Sequence, residues 1–267
     1  MRNDFAIVTS LYNLKKVNRD DNRNWKDYIN WFSETLKIDC PFIIFTQPDL
    51  KEFVEEKRKG LETHIVTTSL EDIPYYYLKD SIQKVLDSEE YKTTMSDLNR
   101  IECKESIYSV IQYSKFKWLK QSSKLFNQYK FYFWLDAGAS RFISPKDMSK
   151  KYPNEKALNT LDTIDNSFLI QYNVEPYTDL INAKLLPENY FLDNRAFVCG
   201  SMFGGNAESI DKVSEQIELV LTKMISNNCV NNEQIALGYL CKNKKNLFTR
   251  FFRVGNMDHL RLFSELS

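Results

Sequence analysis

Hydrophobic and polar positions along the first quarter of the chain predict strands that alternate with helices. Phe5 to Val8 and Phe42 to Phe45 are uninterrupted apolar runs, which are typical of parallel strands buried on both faces. Between them, apolar positions from Trp25 to Leu36 recur at helical spacing. A charged helix from Leu50 to Lys59 and a strand from His64 to Val66 continue the alternation. This order of elements predicts an α/β fold.

The rest of the chain has clear patterns in some segments and none in others. Residues 71 to 100 show no pattern from which an order of elements can be predicted. A helix is predicted from Cys103 to Asn127, and it leads to the most apolar strand, Phe131 to Leu135. Further elements follow: strands at 167–172, 196–199 and 248–254, and a helix with the apolar stripe Ile210, Val213, Ile217, Leu221 and Met224. No repeat or linker interrupts the chain, so one domain of residues 1–267 is predicted.

Composition adds limits on the class of protein. Of 267 residues, 43% are hydrophobic and 27% are charged, which is typical of a globular domain. Basic and acidic residues both number 36, so no electrostatic footprint for nucleic acid or an anionic membrane is expected. Five cysteines without a C-x-x-C pair disfavour structural zinc and disulfides. With no signal peptide and no apolar run long enough for a membrane span, a cytoplasmic location is expected.

The segment WLDAGASR, from Trp134 to Arg141, is the strongest candidate for chemistry. Asp136 follows a buried central strand, and the carboxyl ends of such strands face the crevice in which open α/β sheets bind ligands. A carboxylate there can hold a divalent cation that also binds substrate phosphates. Gly138 would let a diphosphate approach the backbone. The alternative is that Asp136 only caps the turn or helix after the strand.

A second candidate segment runs from Phe197 to Asn206 and contains Gly200, Gly204 and Gly205 in a chain with only seven glycines. Such a segment allows the backbone to come close to a ligand. A bulged strand followed by a tight turn explains it equally well. The segment has neither the lysine of a Walker loop nor the spacing of a dinucleotide motif.

A third candidate, Asn231 to Leu237, opens a helix. Glu233 lies in the predicted first turn, where the helix dipole favours a carboxylate, and helix capping alone would explain the pattern. His259 follows a predicted strand and loop near the C-terminus, which makes it one candidate to close over a metal or a phosphate. With only two histidines, a multi-histidine zinc site is not expected, and no G-x-S-x-G elbow supports a serine hydrolase.

Taken together, the three motifs resemble those of GT-A glycosyltransferases, which bind a nucleotide-sugar at the strand ends with a divalent cation on an aspartate motif. More narrowly, YFWLDAGASRF and the preceding SKFKWL helix are similar to the HtrL/YibB family of bacterial proteins. The likeness covers most of the chain. It implies a GT-A type α/β fold with a Rossmann-like, mostly parallel central sheet flanked by helices. It also implies a nucleotide-binding half of about residues 1–140 and an acceptor-side half of about 141–267.

The resemblance implies roles for particular residues. Expected donor-binding residues are Thr9, Ser10, Lys115, Asp136, Ala137, Gly138, Arg141, Gly204 and Gly205. Glu233 and Asp136 are the expected catalytic residues. Glu233 is the expected base that takes the proton of the acceptor hydroxyl, and Asp193 and Asp258 are the alternative candidates for that base. Asp136 and His259 are the expected ligands of Mn²⁺ or Mg²⁺. Gly138 departs from the D-x-D signature, which has a second carboxylate at that position.

The expected activity is that of a hexosyltransferase-like glycosyltransferase. A UDP-sugar or other nucleotide-sugar would be the donor, and a glycan or lipid-linked glycan in lipopolysaccharide or capsule synthesis would be the acceptor. A lipid-linked acceptor would bring the enzyme to the inner face of the membrane. A sugar nucleotidyltransferase is an alternative, although VTSLYNLKK lacks the glycine expected after its first strand. A non-catalytic carbohydrate-binding protein is a second alternative. The aromatic content of 14% is suited to stacking on sugars, which a glycosyltransferase and a carbohydrate-binding protein would both do.

Overall fold

Seven strands form one sheet in the computed structural model, which describes residues 4–14, 23–152, 155–164 and 166–253. The strands are β1 (Phe5–Leu11), β2 (Phe42–Thr46), β3 (Thr63–Thr67), β4 (Phe131–Leu135), β5 (Phe168–Asn173), β6 (Val198–Asn206) and β7 (Phe248–Arg253). The described helices are α1 (Trp25–Thr35), α2 (Lys51–Lys57), α3 (Lys79–Asp87), α4 (Glu89–Thr94), α5 (Ser106–Leu125), α6 (Pro145–Met148), α7 (Glu155–Asp162), α8 (Val174–Asn182), α9 (Ala207–Ser226) and α10 (Glu233–Asn243).

The strand order is β3-β2-β1-β4-β6-β5-β7. Strands β1 to β4 pair in parallel, and β5 pairs in parallel with β7. Strand β6 is antiparallel to both of its neighbours, β4 and β5. An α/β fold with a mostly parallel central sheet flanked by helices was predicted and is confirmed. The antiparallel β6 brings its N-terminal end to the edge of the sheet where β1 and β4 end.

Two apolar cores cover the two faces of the sheet. One face packs on α3, α5, α9 and α10, with Tyr132 and Trp134 of β4 among the strand residues. The other face packs on α1, α2 and α7, with Phe131 and Phe133 of the same strand. Alternate residues of β4 thus lie in opposite cores, as the pleat of a strand requires. Both helix layers therefore bury the central strands, which explains their uninterrupted apolar runs.

The strand predicted at 196–199 extends much further, to Asn206, so the two glycines that suggested a turn lie inside β6. Gly204 pairs with Phe133, and a Cβ atom at Gly204 would lie 2.1 Å from the carbonyl oxygen of Tyr132. The absence of a side chain is what allows the backbones to approach here. Helix α5 is slightly shorter than predicted, and its last residue, Leu125, is 61% exposed.

Within the described ranges, no helix combines the length and the apolar character that crossing a membrane requires. All five cysteines are buried as free thiols.

Candidate active site

A cavity of about 640 Å³ lies beyond the C-terminal ends of β1 and β4 and beside the start of β6. Its lining comes from the segment after β1, the start of α1, the middle of α5, the turn after β4, and the first residues of β6 and α10. The lining residues are Ser10, Leu11, Tyr12, Asn13, Leu14, Arg23, Asn24, Trp25, Tyr28, Tyr108, Ile111, Gln112, Lys115, Trp134, Asp136, Ala137, Gly138, Arg141, Phe142, Cys199, Gly200, Ser201, Glu233 and Gln234. This is the sheet edge at which open α/β folds bind ligands.

Lys115 joins two carboxylates at the inner wall of the cavity. Its Nζ lies 2.9 Å from Asp136 Oδ1 and 2.7 Å from Glu233 Oε1, and it donates a hydrogen bond to the carbonyl oxygen of Gly200 at 3.0 Å. An ammonium group has three N–H donors, so the protein uses all of them. The Lys115 side chain is only 8% exposed, which strengthens these charged contacts relative to contacts in water.

The glycine at position 200 makes room for this cluster. A Cβ atom there would lie 2.3 Å from Glu233 Oε1 and 3.0 Å from Gln234 Cγ. The start of β6 can therefore pass directly beside the first turn of α10 only because residue 200 has no side chain. Asn232 caps that helix by accepting hydrogen bonds from the backbone N–H groups of Gln234 and Ile235. The cap fixes the turn that carries Glu233.

Burial shapes the charges of the cluster. Burial raises the pKa of Glu233 above its ordinary value, although the nearby ammonium of Lys115 counteracts part of this effect. Glu233 Oε2 is buried and has no hydrogen-bond partner among the described residues, which leaves that oxygen poorly solvated. Burial also disfavours the charged form of Lys115. The attraction of Asp136 and Glu233 outweighs that cost, so the pKa of Lys115 is raised.

Asp136 is the more accessible of the two carboxylates. Its side chain is 37% exposed, whereas that of Glu233 is 1% exposed. Asp136 Oδ1 also accepts a hydrogen bond of 2.7 Å from the indole Nε1 of Trp134. The backbone N–H of Asp136 donates to Ser201 of β6 at 2.9 Å, and the N–H of Ala139 donates to the Asp136 carbonyl oxygen. These contacts hold the carboxylate at the end of β4 and aim it toward the cavity.

Arg141 lies in the same turn and faces the cavity. Its Nε donates to the carbonyl oxygen of Gly138 at 3.0 Å. The guanidinium carbon lies 4.4 Å from the ring centroid of Trp31 and 4.8 Å from that of Phe142. Burial, and after it the positive charge of Arg23, lower the pKa of Arg141. The rings of Trp31 and Phe142 thus contact the faces of the Arg141 guanidinium group, and Arg23 is a second cation nearby.

The structure brings most of the predicted site residues together. Ser10, Lys115, Asp136, Ala137, Gly138, Arg141 and Glu233 all line the cavity. Thr9 is fully buried within β1 and is not part of the lining. His259 and Asp258 lie outside the described residues.

Three other predicted residues lie away from the cavity. Gly204 and Gly205 pair with β4 inside the sheet, opposite Phe133 and Tyr132, and do not line the cavity. They were expected to face the donor and the acceptor, and the glycine of this segment that lines the cavity is Gly200. Asp193 binds Arg195 in an ion pair of 2.7 Å and is not part of the lining either.

Several lining residues were not singled out from the sequence. Trp25 and Tyr28 belong to the apolar pattern that predicted a helix from Trp25 to Leu36, and both line the cavity. Arg23 precedes that helix, and Tyr108 lies in the first turn of α5. No local pattern distinguishes these positions, because they meet only after α1 and α5 have packed at the ends of the strands.

Comparison with known proteins gives a curated relative, a solved structure and a family. Protein HtrL of Escherichia coli (strain K12) is 23% identical over 99 residues, and the aligned part covers 34% of this chain and 34% of that protein. The crystal structure of mouse xyloside xylosyltransferase 1, apo form, matches with a TM-score of 0.47 and 9% identity over 93% of this chain and 85% of that chain. The family model described as a bacterial protein of unknown function (HtrL_YibB) matches residues 3–265. The chain therefore belongs to the HtrL/YibB family.

Proposed function

We propose that the protein is a glycosyltransferase that moves a sugar from a nucleotide-sugar, with UDP as the first candidate nucleotide, to a glycan or lipid-linked acceptor in surface polysaccharide synthesis. One observation carries the proposal: a single cavity combines aromatic rings, cationic side chains and the partly exposed carboxylate of Asp136. Rings stack on nucleobases and sugars, cations bind phosphate, and a carboxylate accepts hydrogen bonds from sugar hydroxyls. A nucleotide-sugar has all three of these parts.

The dimensions of the cavity agree with such a ligand. Its volume of about 640 Å³ lies within the range of roughly 300–1,000 Å³ typical of small-molecule sites. Trp25, Tyr28 and Tyr108 contribute aromatic surface on the side formed by α1 and α5. The carboxylate of Asp136 lines the same cavity at the end of β4. A bound sugar can therefore contact an aromatic ring while its hydroxyl groups bind Asp136.

In the proposed reaction, a hydroxyl oxygen of the acceptor forms a bond to the anomeric carbon of the donor sugar. The bond between that carbon and the diphosphate oxygen breaks, its electron pair leaves with the nucleoside diphosphate, and the hydroxyl proton passes to a carboxylate. We assign the proton to Asp136, because Glu233 is 1% exposed and is held against Lys115. Glu233 then positions Lys115, and Lys115 positions Asp136.

The described residues fit the divalent cation implied by the GT-A resemblance poorly. Asp136 Oδ1 already binds Lys115 and Trp134, so a metal ion on this carboxylate would lie beside an ammonium group. Across the described ranges, no group of three His, Cys, Asp or Glu side chains is arranged to hold a metal ion. His259, the expected second ligand, lies outside those ranges. No step of the proposed reaction depends on a metal.

The test is the release of nucleoside diphosphate from a panel of UDP-, GDP-, ADP-, CMP- and dTDP-sugars (nucleoside monophosphate for the CMP-sugar), with and without candidate glycan acceptors. We expect release from one class of donor by the wild type. Asp136→Asn keeps the shape of the side chain but not its basicity, and should lower turnover by about 100-fold or more. Asp193→Asn, which changes an ion-paired carboxylate outside the cavity, is the matched control and should leave turnover unchanged.

Donor-induced thermal stabilisation supplies a second measurement that does not need an acceptor. A transferase should be stabilised by its donor in both the wild type and Asp136→Asn, with turnover lost only in the variant. Glycan binding without any response to a nucleotide-sugar would identify a carbohydrate-binding protein and contradict the proposal. Release of inorganic pyrophosphate from a nucleoside triphosphate and a sugar phosphate would instead identify a nucleotidyltransferase.

A further inference from the structure

Two guanidinium groups face the cavity beside the turn after β4. Arg23 and Arg141 both line it, and Arg141 lies against Gly138. Arg141 is fixed by its hydrogen bond to the Gly138 carbonyl oxygen and by its contacts with the rings of Trp31 and Phe142. A planar guanidinium held by its faces is oriented to use its N–H edge toward a planar or tetrahedral anion.

Lys115, the third cationic side chain of the lining, binds groups of the protein itself. Lys115 directs its three N–H donors to Asp136, Glu233 and the Gly200 carbonyl oxygen. Its charge balances two carboxylates, so it adds no net positive charge that a ligand could use. Arg23 and Arg141 are the other cationic side chains among the described residues of the lining.

The two arginines are close enough to repel each other. Burial and the charge of Arg23 both lower the pKa of Arg141, although an arginine in a protein stays protonated. An anion with several oxygens, such as a diphosphate, can bind both guanidinium groups in bidentate fashion and remove the repulsion.

By resemblance, Asp136 corresponds to the aspartate motif that binds a divalent cation in GT-A glycosyltransferases. In this structure an oxygen of Asp136 contacts the ammonium group of Lys115 instead. The 2.9 Å contact places an ammonium on one of its oxygens, and Trp134 binds the same oxygen. The charge that a departing diphosphate needs must then come from elsewhere in the cavity. Arg23 and Arg141 are the cationic groups in the described lining that can supply it.

We propose that Arg23 and Arg141 together bind the diphosphate of the donor and neutralise it as it leaves, without a divalent cation. This assignment rests on the proposed function, because it takes the ligand to be a nucleotide-sugar. Arg141 contributes an oriented, partly buried guanidinium, and Arg23 contributes a second one from the residue before the N-cap of α1. The predicted reaction therefore proceeds in the presence of a chelator.

Isothermal titration of UDP, GDP, ADP, CDP and dTDP in EDTA tests the proposal, with the matching nucleosides as phosphate-free probes. We expect one nucleoside diphosphate to bind the wild type in EDTA, and Arg141→Gln and Arg23→Gln each to weaken that binding about tenfold or more. Binding of the nucleoside should change little in either variant. Arg195→Gln, which removes an arginine outside the cavity, is the control and should bind as the wild type does.

Arg23 is exposed, so Arg23→Gln should fold even if the change at the partly buried Arg141 disturbs the turn. Arg141→Lys offers a third variant that keeps the charge but not the planar fork, and it should lie between the wild type and Arg141→Gln. Circular dichroism and thermal melting check that each variant is folded.

The outcomes separate this proposal from the one it rests on. Binding that needs Mn²⁺ or Mg²⁺ would overturn the metal-free neutralisation while leaving the glycosyltransferase in place. Binding in EDTA that Arg23→Gln and Arg141→Gln leave unchanged would overturn the roles of the arginines. If no nucleoside diphosphate and no nucleotide-sugar binds with or without metal, the proposed function fails and this assignment fails with it.

Discussion

At the scale of single residues, Lys115 is the side chain on which the candidate site depends most. It lies in the middle of α5, where a lysine in an amphipathic pattern would ordinarily be exposed, and yet its side chain is 8% exposed. Burying an ammonium is costly unless it is paired and fully hydrogen-bonded, and here Asp136, Glu233 and Gly200 meet both conditions. Removing any one partner should therefore affect the others.

The first prediction at this scale concerns Lys115→Met, which leaves the carboxylate of Glu233 buried without its partner. We expect the free energy of unfolding at pH 7 to fall by about 3–5 kcal/mol, because an uncompensated buried charge carries that cost. The pKa of Glu233, already raised by burial, should rise further because the ammonium no longer counteracts that effect. Urea unfolding across a pH series is the measurement.

The sign of the pH dependence follows from linkage. A carboxyl group with a higher pKa in the folded state binds protons preferentially when folded, so its effect favours folding at low pH and is lost as the pH rises through the folded-state pKa. The loss in free energy of unfolding caused by Lys115→Met should therefore become smaller as the pH is lowered toward the ordinary pKa range of a carboxyl group. The double variant Lys115→Met/Glu233→Gln should recover most of the lost stability. A double variant as unstable as Lys115→Met would contradict this account.

At the scale of elements, strand β6 performs different tasks at its two ends. Near its start, Gly200 passes beside Glu233 and exposes its carbonyl oxygen to Lys115. Near its end, Gly204 and Gly205 allow close approach to β4 and to Ser209 of α9. The same lack of a side chain thus contributes to the site at one end and to sheet packing at the other.

A pair of substitutions separates these tasks. Gly204→Ala places a Cβ atom 2.1 Å from a backbone oxygen of β4 that cannot move independently, so we expect a large loss of thermal stability or no folded protein. Gly200→Ala places its Cβ 2.3 Å from the Glu233 side chain, which can shift. That variant should stay folded and lose most donor-dependent turnover. Thermal melting and nucleoside diphosphate release are the measurements, and equal losses of stability in both variants would refute the distinction.

Several elements could be predicted from the sequence because each has a local signal. The apolar runs of β1, β2 and β4 and the stripe of α9 are confirmed, since burial on two faces or on one helical face leaves a periodicity that needs no partner. The extent of β6 was not predictable in this way. Its glycines resemble a turn signal, and only the carbonyl oxygen of Tyr132 in the neighbouring strand shows why they lie in a strand.

The site shows the same division between local and non-local signals. Asp136 and Glu233 were named because each follows a recognisable boundary, a strand end and a helix cap. Arg141 ends the WLDAGASR segment, but a role for it, as for Lys115, came only from the family resemblance, and no role was predicted for Arg23. Their positions depend on how α1 and α5 pack against the strand ends, which no single segment encodes.

At the scale of the whole molecule, β4 joins what the resemblance treats as two halves. It pairs in parallel with β1 on one side and antiparallel with β6 on the other, and residues from both parts of the chain lie in each core. A sheet continuous across residue 140 makes the two halves one unit in the proposed single domain.

This arrangement predicts the behaviour of fragments. Residues 1–140 produced alone would leave one edge of β4 unpaired and one apolar core without α9 and α10. We expect this fragment to lack a cooperative thermal transition and to aggregate, because an exposed apolar edge strand is a template for pairing with other chains. Adding residues 141–267 as a separate chain should restore a cooperative transition if the fragments associate. A fragment 1–140 that unfolds cooperatively on its own would show two independent domains.

The position of β4 also bears on how the protein is made. Synthesis proceeds from the N-terminus, so β1 emerges long before β4, its neighbour in the sheet, and β4 emerges long before β6. For an extended period the nascent chain carries a strongly apolar strand with no partner on one side, because β6 is made more than 60 residues after β4. We therefore expect protection of that strand by chaperones, and the pace of translation through residues 136–206, to affect the yield of folded protein.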